Sequence, residues 1–263
     1  MPENNVLSVC VLAGGSKGNS VHVSDGQTAL LVDAGLSGAE IQRRMKVKGL
    51  SPEALDGIFV THEHWDHIQG VGVLSRRFGI PVYINPKTEE AGQKRLGDLH
   101  SVRHIECGIP VQVNKLAVRP FSISHDTADP SGFTISSNGT KVGIATDLGM
   151  VTEMVRTHLR DCRLLVIEAN HDPKMLTDGP YPWPLKQRIR GRLGHLSNRD
   201  TRDLITDIRH EGLSHLILSH LSETNNTPEK ALAEILPAVE EQNTRVCVAA
   251  QNRVSEIFRL ASI

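Results

Sequence analysis

Large aromatic rings are scarce in this sequence: two Trp, two Tyr and five Phe among 263 residues, 3% of the chain. Such a composition leaves few rings for stacking on bases and forces the core to be aliphatic. An excess of charge of one sign is missing as well, since 29 Lys and Arg face 30 Asp and Glu for a net charge of -1 and a pI near 6.9. No global field draws the chain to polyanions, so nucleic-acid binding has to come from a local basic patch. No stretch approaches the ~20 apolar residues of a membrane span, and the start MPENNVLSVC lacks the basic region and apolar run of a signal peptide. The expectation is a cytoplasmic protein without membrane contact. Cys10, Cys107, Cys162 and Cys247 show no CxxC spacing. They read as buried thiols and not as disulfides or metal ligands.

What is present is a balanced globular composition, 22% charged and 39% hydrophobic. Without a break in composition, one domain over residues 1–263 is expected. The strongest local signal is THEHWDH, residues 61–67, directly after Ile58, Phe59 and Val60. A short apolar run that ends in alternating imidazoles reads as a strand opening into a loop of convergent ligands. His62 and His64 point the same way on an extended backbone, while Asp66 and His67 follow on the turn into the next element and can face a second ion. The helical zinc-protease motif HExxH does not apply, because Asp66 stands where its second His is required. The stretch prepares half of a two-metal site.

Along the rest of the chain, Val6 to Ala13 reads as a strand ending in GGSKGNS, which lacks the Gly-Lys-Ser/Thr ending of a P-loop and leads into another strand. Asp33 closes a strand and suits either the orientation of a ligating histidine or a turn. Helices are expected at Ser37 to Lys48, Ile68 to Phe78, Lys87 to Leu96 and Met150 to His158. Two more are expected from an Asn198 cap to His210, and from Thr227 and Pro228 with Leu232, Ile235, Leu236 and Val239 on one face. Strands are expected at 81–85, 115–124, 142–145, 163–167 and 215–218, a hairpin at SSNGTK, and two short strands at the end. Residues 97–113 carry no clear pattern. Lys186, Arg188, Arg190, Arg192, Arg199 and Arg202 form the one candidate polyanion surface, with a solvated helical face as the alternative.

Collected together, the polar residues after strand ends are His62, His64, Asp66, His67, His125, Asp147 and His220. Two ions with three ligands each and one shared carboxylate need seven side chains, and a hydroxide between the ions fills a further position. Imidazole and carboxylate without thiolate suit Zn, Mn or Fe.

The order HxHxDH, a lone His, Asp at a strand end and a final His resembles the metallo-β-lactamase superfamily over nearly the whole chain. The resemblance implies an α/β fold, the four-layer αββα sandwich. It also implies two divalent metal ions, the first on His62, His64 and His125, the second on Asp66, His67 and His220, with Asp147 between them. Asp147 stands where β-lactamases of the superfamily carry Cys, which points to the hydrolase and phosphodiesterase branches. The segments VLAGGSKGNS, EANHD, YPWPLKQRI, GHLSN and LSHLSETNN are similar to the YycJ (WalJ) family of DNA exonucleases. The order Glu168, His195, His220 also resembles tRNase Z and ribonuclease J type nucleases, although no room exists here for the ribonuclease J cap domain and no flexible arm is evident.

The function so implied is a dinuclear metal-dependent phosphodiesterase acting as a nuclease, with DNA the favoured partner. Asp66, Glu168 and His195 are its catalytic candidates, and His171, Arg190, Arg192 and Asn198 its substrate contacts. Glu168 and His195 are expected to act as a pair that protonates the departing oxygen. A small-molecule phosphodiesterase or a glyoxalase II-like thioester or lactone hydrolase is the alternative. His22, His100, His104, His158, His210 and His215 match no motif and read as ordinary histidines.

Overall fold

A computed structural model describes residues 6–260. The first sheet takes β1 (Leu7–Gly15), β2 (Gly18–Ser24), β3 (Ala29–Val32), β4 (Gly57–Phe59), β5 (Val82–Ile84) and β6 (Val102–His104) in that spatial order. The second takes β7 (Val111–Val113), β8 (Leu116–Ser122), β9 (Ser131–Ser137), β10 (Thr140–Ala145), β11 (Leu164–Glu168), β12 (His215–Ser219) and β13 (Arg245–Val248). β14 (Phe258–Leu260) returns to pair antiparallel with β1. Each sheet opens as an antiparallel meander and continues in parallel, from β3 to β6 in the first and from β10 to β13 in the second.

Alternation along the strands builds the layers. Val9, Val11, Val142, Ile144 and Val166 face the space between the sheets, where Phe59 stacks on Tyr83 at 4.4 Å and meets Phe133 edge-on at 5.6 Å. Cys10, Leu12, Leu31 and Ile58 face the other way, against α1 (Gly38–Val47), α2 (Trp65–Ile68), α3 (Val71–Phe78) and α4 (Pro86–Leu96). Leu165, Ile167, Leu216 and Leu218 pack on α5 (Glu153–Leu159), α8 (Asn198–Ile208) and α9 (Pro228–Ile235). Two short helices, α6 (Pro173–Asp178) and α7 (Trp183–Ile189), lie between β11 and α8. Helix, sheet, sheet and helix layers result, as the αββα expectation has it. Among the described residues no helix is long and apolar enough to cross a membrane.

Several boundaries differ from expectation. The helix over 68–78 is two pieces, parted at Gly70, whose amide bonds the Ala34 carbonyl at 2.7 Å. α5 begins at Glu153 because the Thr152 hydroxyl caps it, leaving Met150 and Val151 in a loop. Ser197, not Asn198, caps α8, in a capping box with Asp200. α9 stops at Ile235, and Leu236 in the following 3-10 turn is 46% exposed instead of joining the core face. Residues 97–113 hold the edge strands β6 and β7, too short and too exposed to leave a pattern. Cys10 and Cys162 are buried free thiols as expected, whereas Cys107 and Cys247 are only half-buried.

Candidate metal centre

The parallel strands of both sheets point their C-terminal ends at one place, the position where open α/β sheets collect ligands. From the first sheet, β4 runs into Val60, Thr61 and His62, and His64 takes an extended conformation at the head of α2, so that Asp66 and His67 fall in its first turn. From the second sheet, Asp147 follows β10, Glu168 ends β11 and His220 follows β12. His125 lies in the loop after β8, and His195 in the loop after α7, its amide bonded to the Ile189 carbonyl at 2.8 Å. Asp33, Asp147 and His220 all turn the chain with positive φ, at 59°, 56° and 57°. Gly35 packs against this turn so closely that a Cβ there would lie 1.5 Å from the Asp66 carbonyl oxygen.

These residues converge into three overlapping groups whose donor atoms lie within 4.8 Å of one another: His62, His64, His125 and Asp147; Asp66, His67 and His220; Asp147, Glu168, His195 and His220. All seven donors gathered from the sequence are therefore together. His62 is fully buried, and its Nε2 has no hydrogen-bond partner. A buried imidazole nitrogen left unbonded among carboxylates and other imidazoles fits a cation ligand, and the nitrogen and oxygen donor set fits a divalent metal.

Carboxylates behind the cluster hold its imidazoles. Asp33 Oδ2 accepts from His67 Nδ1 at 2.7 Å, and the same carboxylate takes the Thr61 amide at 2.8 Å and hydroxyl at 2.7 Å. Of the two roles left open for Asp33, orienting a histidine is the one the contacts show. Glu168 is the counterpart in the second sheet. Its Oε1 lies 2.7 Å from His195 Nδ1 and 2.8 Å from His220 Nδ1, while Oε2 accepts the amides of Leu148 at 2.8 Å and Leu196 at 3.2 Å. Its contact with His220 had no signal in the sequence.

Family comparison agrees with this geometry. The family described as Beta-lactamase superfamily domain matches residues 28–221. The chain belongs to the metallo-β-lactamase superfamily. It is 37% identical to the exodeoxyribonuclease YycJ of Bacillus anthracis over 90% of both chains, and 39% identical to the exodeoxyribonuclease WalJ of Streptococcus pneumoniae over 84% of both. The metallo-β-lactamase fold protein YhfI of Bacillus subtilis superposes with a TM-score of 0.73 at 17% identity, covering 97% of this chain and 99% of that one. The chain is thus a metal-dependent hydrolase of the metallo-β-lactamase superfamily.

The electrostatics suit that class. Full burial alone would strip His67 and His220 of their protons, yet the carboxylates around them, Asp147 foremost, hold both pKa values well above the ordinary one. The same negative surroundings suit a cation that takes the place of those protons. Burial likewise opposes ionisation of Glu168, but His195 and His220 keep its pKa down at about 2. His195 is pushed down by burial and more than recovered by Glu168, ending above its usual value.

The cluster floors a cleft of about 290 Å³ walled by Ser16, Tyr181, Leu185, Arg188 and His195. Beyond His195 lies a second cavity of about 490 Å³, lined by His171, Arg190, Arg192 and Asp200. His171 is 3% exposed with its Nδ1 unbonded, and burial lowers its pKa to about 4. Asn198 is a correction. It is buried, and its amide pairs both ways with Asn226, at 2.9 and 2.8 Å, so it ties the head of α8 to the turn before α9 instead of facing a substrate. The basic segment is also partly spent: Lys186 bonds the Thr177 carbonyl, Arg188 pairs with Asp126, and Arg202 with Asp203 and Glu234. Sequence reasoning missed Asn19, whose Nδ2 is 3.0 Å from His67 Nε2 and 3.3 Å from Asp66 Oδ2. It stands at the start of β2, in the GGSKGNS segment, where the sequence shows only that a P-loop ending is lacking.

Proposed function

We propose that this hydrolase is a dinuclear phosphodiesterase that works on DNA as an exonuclease. The observation that carries the proposal is the sharing of Asp147 and His220 among overlapping donor groups, with the Glu168 and His195 pair against them. The names of the two relatives, at 37% and 39% identity, support DNA as the substrate. His62, His64 and His125 would hold one ion, Asp66, His67 and His220 the other, and Asp147 both; the donors suit Zn or Mn, and Fe as well. Two such ions lower the pKa of water and neutralise phosphate charge.

The chain's own residues do the rest. Asp33 and Glu168 fix the rings of His67 and His220 through Nδ1, which turns each Nε2 toward the donors. Glu168 also grips His195 Nδ1, leaving the other ring nitrogen to donate a proton to the departing sugar oxygen. Arg190, Arg192 and His171 line the cavity past His195 and would hold strand phosphates there. A small-molecule phosphodiesterase is the second reading, favoured by the internal pairing of Lys186, Arg188 and Arg202, which leaves a small cationic surface.

Metal-loaded protein should carry two ions per chain and degrade DNA from an end. His195→Ala should keep both ions, lose on the order of 10² to 10⁴ in rate on DNA, and lose far less on bis-p-nitrophenyl phosphate, whose leaving group departs without a proton. A single ion overturns the dinuclear centre, and equal losses on both substrates overturn the acid role of His195.

A further inference from the structure

Among the paired cations of the basic segment, Arg188 differs from the others in where its partner stands. Lys186 is tied to the Thr177 carbonyl and Arg202 to Asp203 and Glu234, none of which lines the metal cleft, whereas Arg188 and Asp126 both do. Leu185, Arg188 and Ile189 share one face of α7, and that face walls the cleft. The helix is held in place, because Lys186 Nζ donates to the Thr177 carbonyl at 2.6 Å and the Ile189 carbonyl accepts the His195 amide at 2.8 Å. Asp126 follows His125 in the chain, and its two oxygens have different surroundings. Arg188 Nε and Nη2 both donate to Oδ2, each at 2.6 Å. Oδ1 is turned to the imidazoles of the first donor group, 3.5 Å from His125 Nε2 and 4.0 Å from His64 Nε2. The carboxylate nonetheless belongs to none of the three donor groups. The Arg188 side chain is 62% exposed, so water screens the pair and the bond is weak enough to exchange.

We infer that Arg188 is the clamp for the scissile phosphate, and that Asp126 is a built-in stand-in for that phosphate, which the substrate displaces from the guanidinium. This rests on the phosphodiesterase function proposed above and applies to DNA and to small diesters alike, since both bring the same anionic group. An anion with one oxygen on a guanidinium and the other turned to metal-holding imidazoles has the posture a phosphodiester needs there, and the planar fork of Arg suits phosphate oxygens as well as a carboxylate. Arg188 then serves the bond that is cut, and Arg190 and Arg192 the flanking phosphates. Asp126 keeps the guanidinium paired between turnovers and competes with the product phosphate for it, which favours product release.

The test uses metal-loaded protein and three measurements on each variant: metal content, binding of inorganic phosphate by calorimetry, and turnover of bis-p-nitrophenyl phosphate. Arg188→Ala should keep the wild-type metal content and weaken phosphate binding about 10- to 100-fold, the scale of lost charge-assisted hydrogen bonds, with a similar fall in kcat/KM on the diester. Asp126→Asn should also keep the metal, and should bind phosphate about two- to fivefold more tightly, the scale of a screened ion pair. In the Arg188→Ala background the same Asp126→Asn change should leave phosphate affinity nearly unaltered, because the carboxylate acts through Arg188. Unchanged phosphate affinity in Arg188→Ala overturns the clamp. Loss of metal in Asp126→Asn makes the carboxylate a ligand and overturns the stand-in, as does an equal gain in affinity with and without Arg188. Phosphate binding that depends on Arg188, in a protein that cleaves neither DNA nor the diester, supports the clamp while overturning the phosphodiesterase function.

Discussion

The two sheets contribute to the metal centre in different ways. The first supplies His62, His64, Asp66 and His67 from one continuous stretch at the end of β4, steadied by Asp33 one strand away. The second supplies Asp147, Glu168 and His220 from three neighbouring parallel strands, with His195 on a loop between them. Local chain geometry sets the first half. Topology sets the second, and a single carboxylate, Glu168, coordinates two of its histidines.

The largest test of this contrast compares Glu168→Gln with Asp33→Asn. Replacing the Glu168 carboxylate by an amide puts an NH₂ either on the two imidazole Nδ1 atoms or on the backbone amides of Leu148 and Leu196, so one pair of donors loses its acceptor. We expect turnover of DNA to fall on the order of 10² to 10⁴, with a loss of stability of about 1 to 3 kcal/mol from the buried unpaired donors. Asp33→Asn should weaken metal affinity about 10 to 100-fold and spare His195. Metal titration and turnover, measured on both variants, break the contrast if Asp33→Asn is the more damaging to turnover at saturating metal.

Smaller effects are expected at the glycines behind each half. A Cβ at Gly35 would strike the Asp66 carbonyl oxygen, and one at Gly149 would lie 2.5 Å from the Arg192 carbonyl oxygen and 2.6 Å from the Gly194 amide nitrogen. Both neighbours are backbone and cannot rotate away, so each Ala should cost about 1 to 3 kcal/mol. Gly35→Ala should lower metal content. Gly149→Ala should keep the metal but displace the loop that seats His195, lowering DNA turnover. Equal metal loss in both variants would mean that the halves are not independently supported.

The smallest effect on turnover, none, is expected at a residue that separates the stability of the scaffold from the integrity of its site. His22 is buried on β2, beside Cys10 and Leu31 in the sheet register, and belongs to neither half. Burial lowers its pKa to about 4, so the folded protein resists a proton that the unfolded chain accepts at its ordinary 6.5. Stability from this residue is present above pH 6.5 and is lost as pH falls from there to about 4, by up to about 3 kcal/mol. His22→Gln should therefore flatten the acid limb of a denaturant-derived stability curve over that interval. An unchanged slope would assign the acid sensitivity elsewhere.

Legibility followed the same division. The THEHWDH stretch announced itself because its donors are contiguous, and the sheet strands were visible because Val, Ile and Leu alternate between two apolar layers. His125, Asp147 and His220 were found through strand-end position and family order. The bond from Glu168 to His220 was hidden, since nothing in a linear chain says that β11 and β12 are neighbours in parallel register. Asn198 misled for a related reason: its GHLSN context pointed to the site, while its partner Asn226 lies 28 residues away. The break at Gly70 and the capping of α8 by Ser197 depended on close tertiary contacts and on a choice between adjacent capping residues.

The three left-handed turns at Asp33, Asp147 and His220 have a consequence for anyone reshaping this scaffold. An L-residue in that conformation forgoes on the order of 1 kcal/mol relative to glycine, with Asp, Asn and His the types that tolerate it best. At each of these positions the backbone would favour a residue with no side chain, whereas the site needs a carboxylate or an imidazole. The hydrogen bonds of Asp33 to Thr61 and His67 and of His220 to Glu168 offset that cost, so a library built for stability should hold the three positions constant and seek its gains in the helices.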